Sequence, residues 1–144
     1  MELHTDASSC GFGAYYAGVW LTGSWDSEQA AQSITYQELY AVVIAASTWG
    51  FQWQKRRVLF HCDNEAVVAV LRSGTSRSTS VMQLLRCLFF VCAQHNFTLS
   101  AQHVAGTANS VADSLSRHQM ERFRQLAPEA AAAPSAIQPL PTLN

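Results

Sequence analysis

The sequence has few charged residues and no excess of either sign. Only 13% of its 144 residues are charged, and the formal net charge is −1. The composition therefore lacks the overall basic character of many nucleic-acid-binding domains, and any contact with nucleic acid has to come from a local patch. Apolar residues make up 49% of the chain, which is enough for one globular domain with a sizeable core.

Cysteine is present, but not in the spacing of a zinc ribbon or a redox motif. No C-x-x-C pair occurs among the four cysteines, which are Cys10, Cys62, Cys87 and Cys92. We expect buried, reduced thiols and hence a reducing compartment. A zinc site built from His4, His61 and Cys62 is a remote alternative, because its spacing matches no metal motif.

Long hydrophobic runs are also missing. The longest candidate, Val81 to Ala93, is interrupted by Gln83 and Arg86 and falls short of the ~20 apolar residues that a membrane span needs. The start of the chain carries no signal-peptide pattern. These observations predict no membrane association and an intracellular location, in the cytoplasm or the nucleus.

Proline is absent from the first 127 residues. All four prolines lie in the Ala-rich stretch that starts at Pro128. We therefore predict one domain over residues 1–120, followed over 121–144 by a short helical extension and a Pro/Ala-rich linker or disordered tail.

What is present begins with aromatic and β-branched segments between closely spaced glycines. Residues 2–8, 14–17 and 19–25 are predicted to form a three-stranded antiparallel meander. A helix should then begin at a capping box made by Thr35 and Glu38 and end before Gly50.

The second half of the chain alternates between strands and helices. Residues 58–62 form an apolar strand that ends at Asp63, a helix follows at once, and a longer helix covers roughly 80–94. Residues 97–104 alternate as a fifth strand, in which His103 shares the parity of Leu99 and Ala101 and is expected to be buried, and Asn109 is the expected N-cap of a last short helix. His4 and His61 are expected to be packed core histidines. The order β-β-β-α-β-α-α-β-α predicts an α/β fold with a five-stranded mixed sheet, three antiparallel strands and then two parallel ones, flanked by helices.

Four acids fall at the ends or starts of these elements: Asp6, Glu38, Asp63 and Asp113. Each has an ordinary structural explanation, as a turn former, a capping-box partner, an N-cap or a partner of the helix dipole. If the strands of Asp6 and Asp63 lie side by side and parallel, however, all four gather at one end of the sheet. Clustered carboxylates repel each other unless a cation neutralises them, and oxygen ligands of this kind suit Mg²⁺ or Mn²⁺. Two such ions could activate a water molecule and stabilise the leaving oxygen of a phosphodiester.

Four segments carry a family resemblance: LHTDASSCGFGAYY, ITYQELYAV, VLFHCDNEAVVAVL and HVAGTANSVADSLSR. Over about residues 2–125 the chain resembles the ribonuclease H domain of retroelement reverse transcriptases, of the DIRS/Ngaro (tyrosine-recombinase) type. The resemblance implies a ribonuclease H-like fold and two-metal-ion, endonucleolytic hydrolysis of the RNA strand of RNA–DNA hybrids. It implies Asp6, Glu38, Asp63 and Asp113 as catalytic, metal-binding acids, and an adjacent polymerase domain and a downstream recombinase domain as partners.

The chain departs from cellular ribonucleases H in two respects. The loop 105–110 lacks the histidine that precedes the last acid in those enzymes, and the helix from Val81 to Ala93 carries only one basic residue, Arg86. Contacts with the hybrid backbone are therefore expected from hydroxyls, amides and one arginine elsewhere, recognising A-form-like shape and 2′-OH groups. The predicted substrate-binding residues are Ser8, Ser9, Gly11, Asn64, Thr75, Ser76 and Arg77.

Three functional alternatives follow from the same residues. The first is the active ribonuclease H, and the second is a transposase or a 3′–5′ exonuclease of related architecture. An exonuclease would want a second acid two residues after Asp6, where Ser8 stands. The third is a non-catalytic spacer or nucleic-acid-binding domain of a retroelement polyprotein, which the loss of an acid would have favoured.

Overall fold

Five strands form one mixed sheet in the order β3-β2-β1-β4-β5. The strands are β1 (Glu2–Ala7), β2 (Gly11–Tyr16), β3 (Val19–Ser24), β4 (Arg57–Cys62) and β5 (Thr98–His103). β1, β2 and β3 pair antiparallel, whereas β4 runs parallel to both β1 and β5. This arrangement, in a computed structural model that describes residues 1–143, confirms the predicted three antiparallel and two parallel strands.

Six α-helices and two 3₁₀ turns are present in residues 1–143. The helices are α1 (Ser27–Ala30), α2 (Ile34–Trp49), α3 (Glu65–Ser73), α4 (Thr79–His95), α5 (Ser110–Ser116) and α6 (Met120–Leu126). The 3₁₀ turns cover Gly50–Gln52 and Gly106–Asn109. Within these residues, no helix combines the length and the apolar character required to cross a membrane.

The helices lie on both faces of the sheet. Neighbouring residues of a strand point to opposite faces, so Leu21 of β3 packs into the main core with α2 and α4, while Trp20 packs with α5 and α6. Most of α2 is buried because it is apolar nearly all round. Its burial fixes the position of Glu38 against the sheet.

The predicted cap of α2 differs from the structure. The N-cap of α2 is Ser33, whose side chain accepts a hydrogen bond from the backbone N–H of Tyr36, so the predicted capping box of Thr35 and Glu38 is wrong. Ser33 and Thr35 are both suitable N-cap residues, and the helix begins after Ser33, the earlier of the two. Glu38 is thereby released from a capping role.

The C-terminal segment, residues 127–143, runs against the body of the domain. The backbone N–H groups of Ala131 and Ser135 donate to the carbonyls of Gly18 and Trp20, and the indole N–H of Trp20 donates to the Ala131 carbonyl at 2.7 Å. The segment therefore covers the free edge of β3. The expectation of a linker or disordered tail did not foresee these contacts, although the division of the chain at residue 120 stays a prediction.

Removing residues 128–144 should destabilise the domain by about 2–4 kcal/mol, because three edge hydrogen bonds at about 1 kcal/mol each are lost and Trp20 is uncovered. Urea denaturation of the full and shortened chains measures the difference. An equal free energy of unfolding would show that the segment acts as a linker and not as part of the fold.

Candidate metal centre

The four acids lie at one end of the sheet. Asp6 is near the carboxyl end of β1, and Asp63 directly follows β4, which runs parallel beside β1. Glu38 is near the start of α2, and Asp113 is in the first turn of α5. Parallel strands bring their carboxyl ends to the same edge, which is where open α/β sheets place their ligand sites.

Close packing of α5 on β2 brings Asp113 to this edge. A Cβ atom at Gly13 would lie 2.3 Å from Cβ of Leu115, so only glycine permits the approach. Asn109 anchors the segment before α5, since its side-chain N–H donates to the Thr5 carbonyl at 2.9 Å. Asn109 therefore ties the loop to β1. The sequence predicts that Asn109 caps α5, but its side chain makes no capping hydrogen bond.

Asp6 is buried, with only 3% of its surface exposed. Burial raises the pKa of Asp6 to about 7, and the charges of Asp63 and Asp113 add to the rise. The hydroxyl of Ser116 donates to Oδ2 of Asp6 at 2.7 Å, which opposes the shift and fixes the carboxylate.

Glu38 is equally buried and less well satisfied. Its Oε2 atom is buried and has no hydrogen-bond partner among the described residues. Burial, followed by the charges of Asp6 and Asp63, raises the pKa of Glu38 to about 9. An unpartnered buried carboxylate oxygen is costly, and a cation placed beside it would remove that cost.

Asp63 is half-buried and adjoins Cys62, the last residue of β4. Ligand atoms of Glu38, Cys62 and Asp63 all lie within 4.8 Å of one another. Asn64, and not Asp63, is the N-cap of α3, because the Asn64 side chain accepts from the backbone N–H of Val67. The alternative explanation of Asp63 as a helix N-cap is therefore wrong, and its carboxylate does not cap α3.

Asp113 is paired with two arginines. Arg117 Nε lies 3.0 Å from Oδ1 and Arg122 Nη1 lies 2.7 Å from Oδ2, so both carboxylate oxygens are engaged. Burial alone would raise the pKa of Asp113, but hydrogen bonds from Arg122 and Arg117 outweigh it and hold the pKa below its ordinary value. A cation that reaches Asp113 has to compete with these guanidinium groups.

Replacing Arg122 with Gln should lower the dissociation constant for Mg²⁺ by about two- to fivefold, because one competing charge is removed from an exposed pair that is itself weak. Calorimetric titration of the protein with Mg²⁺ measures it, with Arg86→Gln on α4 as the matched control. Weaker Mg²⁺ binding in Arg122→Gln would show that the arginine supports the ion instead of competing with it.

The histidines are placed differently from the sequence-based expectation. His4 and His61 stack with ring centroids 4.5 Å apart, half-buried and close to Glu2, and so are not packed in the core. His61 and Cys62 point to opposite faces of β4, so the zinc site of His4, His61 and Cys62 is wrong. His103 was expected to be buried but is exposed at the end of β5, with Nε2 3.2 Å from the Asp63 carbonyl oxygen.

The predicted substrate-binding residues divide into two groups. The hydroxyl of Ser8 is buried and donates to the Ser116 carbonyl at 2.8 Å, and Gly11 is buried at the start of β2, so both have internal structural roles. Surface positions are occupied, fully or in part, by Ser9, Asn64, Thr75, Ser76 and Arg77. These five remain available to a ligand at the surface.

Sequence reasoning missed the groups that surround the acids. Three such residues contact or adjoin the acids, and none of them belongs to a recognisable sequence motif: Cys62, Ser116 and Arg122. The only available signal was spacing: Ser116 follows Asp113 by three residues, which places both on one face of a helix.

The donor set fits a hard divalent cation. Two buried carboxyl groups with raised pKa values, an unpartnered oxygen on Glu38 and the half-buried Asp63 supply oxygen ligands at one edge. Asp6, Glu38 and Asp63 would hold the ion, and Asp113 would join when an arginine releases it.

Comparison with known proteins places this geometry in a known fold. No protein-family model and no curated protein sequence matches the chain. Among solved structures, it is similar to the N-terminal RNase H domain of Rv2228c from Mycobacterium tuberculosis, solved as a fusion with maltose-binding protein. The identity is 12%, the TM-score is 0.64, and the match covers 79% of this chain and 93% of that one.

A second similar structure is LC11-RNase H1, isolated from compost by a metagenomic approach. It shares 13% identity with a TM-score of 0.54, covering 79% of this chain and 89% of that one. At these identities the likeness establishes the fold, and the fold is that of ribonuclease H.

Proposed function

We propose that the chain is a ribonuclease H that hydrolyses the RNA strand of RNA–DNA hybrids endonucleolytically with two divalent ions, Mg²⁺ or Mn²⁺. The observation that carries the proposal is the unpartnered, buried oxygen of Glu38 beside Asp6 and Asp63. A merely structural carboxyl at 3% exposure would be expected to have a hydrogen-bond donor.

In this proposal each acid has a part in metal binding that its surroundings determine. The charges of Asp63 and Asp113 act on Asp6, and the Ser116 hydroxyl holds its Oδ2 so that Oδ1 would face an ion. Glu38 and Asp63 complete the ligand set from α2 and β4. Bound ions would lower the pKa of an attacking water molecule and stabilise the leaving oxygen. The chain's own part is to hold the carboxylates in position before substrate arrives.

Hybrid recognition is assigned to the exposed residues of the predicted set. Ser9, Asn64, Thr75, Ser76 and Arg77 offer hydroxyl, amide and guanidinium donors to phosphate and 2′-OH groups, with little sequence preference. The exposed imidazole of His103 is a further donor near Asp63, which matters because the loop 105–110 has no histidine.

We also propose a retroelement context of the DIRS/Ngaro type, with a polymerase domain and a downstream recombinase domain in the parent polyprotein and an intracellular location. The four motif segments of the sequence support it. Sequencing the genomic region around the coding segment tests it, and flanking regions that encode neither domain would contradict it.

The test of the nuclease is a substrate panel. The purified chain is incubated with a labelled RNA–DNA hybrid, an RNA duplex and a DNA duplex, each with Mg²⁺, Mn²⁺ or EDTA. We expect internal cuts in the RNA strand of the hybrid alone, and only with a metal ion. Binding of the hybrid without any cutting would favour the non-catalytic alternative. In that case the two arginines that occupy both carboxylate oxygens of Asp113 would be keeping it from a metal ion.

A further inference from the structure

A buried thiol lies directly against two of the acids. Cys62 has 0% exposure, and its sulfur lies within 4.8 Å of a carboxylate oxygen of Glu38 and of Asp63. Cys10, Cys87 and Cys92 are in none of the groups of potential metal ligands found in residues 1–143. The proposed Mg²⁺ chemistry has no use for this sulfur, because Mg²⁺ takes oxygen ligands.

The sulfur is oriented by the backbone that follows it. The backbone N–H of Asn64 donates to Cys62 Sγ at 3.4 Å, and the thiol in turn donates to the Asn64 carbonyl oxygen at 3.8 Å. Burial and the charge of Glu38 raise the pKa of the Cys62 thiol and outweigh the Asn64 N–H, so the sulfur is a protonated thiol until a metal ion displaces its proton. The thiol is thus held at the end of β4 by the turn into α3.

A second observation points to a ligand at the same place. Oε2 of Glu38 is buried without a partner in the described chain, and Glu38 is only 3% exposed. One sulfur and two carboxylates supply three of the four ligands that a tetrahedral Zn²⁺ or Cd²⁺ site needs, and water would be the fourth.

We propose that Glu38, Cys62 and Asp63 form a site for a thiophilic divalent cation, Zn²⁺ or Cd²⁺, whose binding inhibits the nuclease. Coordination forms a metal–sulfur bond and releases the thiol proton to water. The ion takes Glu38 and Asp63 away from Mg²⁺. The inhibition rests on the proposed function, whereas the binding does not.

The binding test uses the full chain without nucleic acid. Cys10, Cys87 and Cys92 are replaced by Ser, so that Cys62 is the sole thiol, and Cd²⁺ is added while the ultraviolet absorption of the Cd–thiolate bond is followed. We expect a saturable signal at one ion per chain. The matched variant adds Cys62→Ser and should lose the signal completely.

Glu38→Gln keeps the thiol and tests whether the site is shared. It should weaken Cd²⁺ binding at least tenfold, because one of the two carboxylate ligands becomes a neutral amide. Circular dichroism confirms that each variant is folded. No thiolate signal in the folded sole-thiol protein, or the same affinity in Glu38→Gln, would overturn the proposed site.

The activity arm separates the two proposals. Cd²⁺ is titrated into the Mg²⁺-dependent cleavage reaction, and each rate is expressed relative to that variant's own rate without Cd²⁺. Half-inhibition should need at least tenfold more Cd²⁺ in the Cys62→Ser variant than in the sole-thiol protein. Equal inhibition of the two would overturn the inhibitory role. A Cd–thiolate signal in a protein that cuts no hybrid would instead contradict the nuclease while supporting the site.

Discussion

Glu38→Gln should reduce hybrid cleavage about 1000-fold, the scale lost when one preorganised charge-stabilising group is removed from an active site. The substitution keeps the size of the side chain and removes only its capacity for negative charge. Because Glu38 is buried beside Asp6 and Asp63, its amide cannot replace the anionic oxygen that a cation needs.

Cleavage rates of wild type and Glu38→Gln at saturating Mg²⁺ measure the effect. Gln37→Ala, one residue earlier on α2, is the control. The Gln37 side chain donates to the Gln29 carbonyl and has no part in the proposed metal site. An activity loss of less than tenfold in Glu38→Gln would remove Glu38 from the metal site.

The metal-free protein should lose stability as the pH rises from about 5 to about 9. Folded Glu38 keeps its proton up to a pKa of about 9, whereas an unfolded glutamate releases it near 4.5. The folded state therefore binds more protons than the unfolded state across this window, and the free energy of unfolding falls as the pH rises. The slope is at most about 1.4 kcal/mol per pH unit for one group. Asp6, with a pKa of about 7, adds to the fall over the lower part of the window.

Urea denaturation in EDTA at pH 5, 7 and 9 checks this dependence. Glu38→Gln should flatten the curve between pH 7 and pH 9, because its amide carries no charge at either pH. Saturating Mg²⁺ should restore much of the stability of the wild type at pH 9, since the ion binds the folded state alone. A wild-type stability that rises with pH would contradict the raised pKa values.

The topology was predictable because each strand and helix carries its own pattern. Aromatic and β-branched segments between glycines gave the meander, and an apolar strand followed at once by helical spacing gave the parallel crossover. That topology places the carboxyl end of β1 beside that of β4. The meeting of Asp6 and Asp63 at one edge could therefore be predicted without any knowledge of side-chain contacts.

The errors fell where a pattern ends or where two residues compete. His103 shares the parity of the inward-facing residues of β5, but it lies at the last position of the strand, where little remains to cover it. Ser33 and Thr35 are both good caps, and sequence alone could not decide between them. The pairing of Asp113 with Arg117 has the i,i+4 spacing of helix neighbours and was open to sequence reasoning. The pairing of Asp113 with Arg122 and the approach of Cys62 to Glu38 depend on how separate elements pack, which no local pattern encodes.

The central claim is that the acid cluster performs metal-dependent cleavage of the hybrid, and one comparison tests it most directly. Wild type, Asp63→Asn and Asp26→Asn are each incubated with a labelled RNA–DNA hybrid and Mg²⁺. Asp26 caps α1 through its side chain, a role that asparagine also fills, so it is the matched control. We expect wild type and Asp26→Asn to cut the RNA strand and Asp63→Asn to leave it intact. Equal cutting by Asp63→Asn would contradict the account.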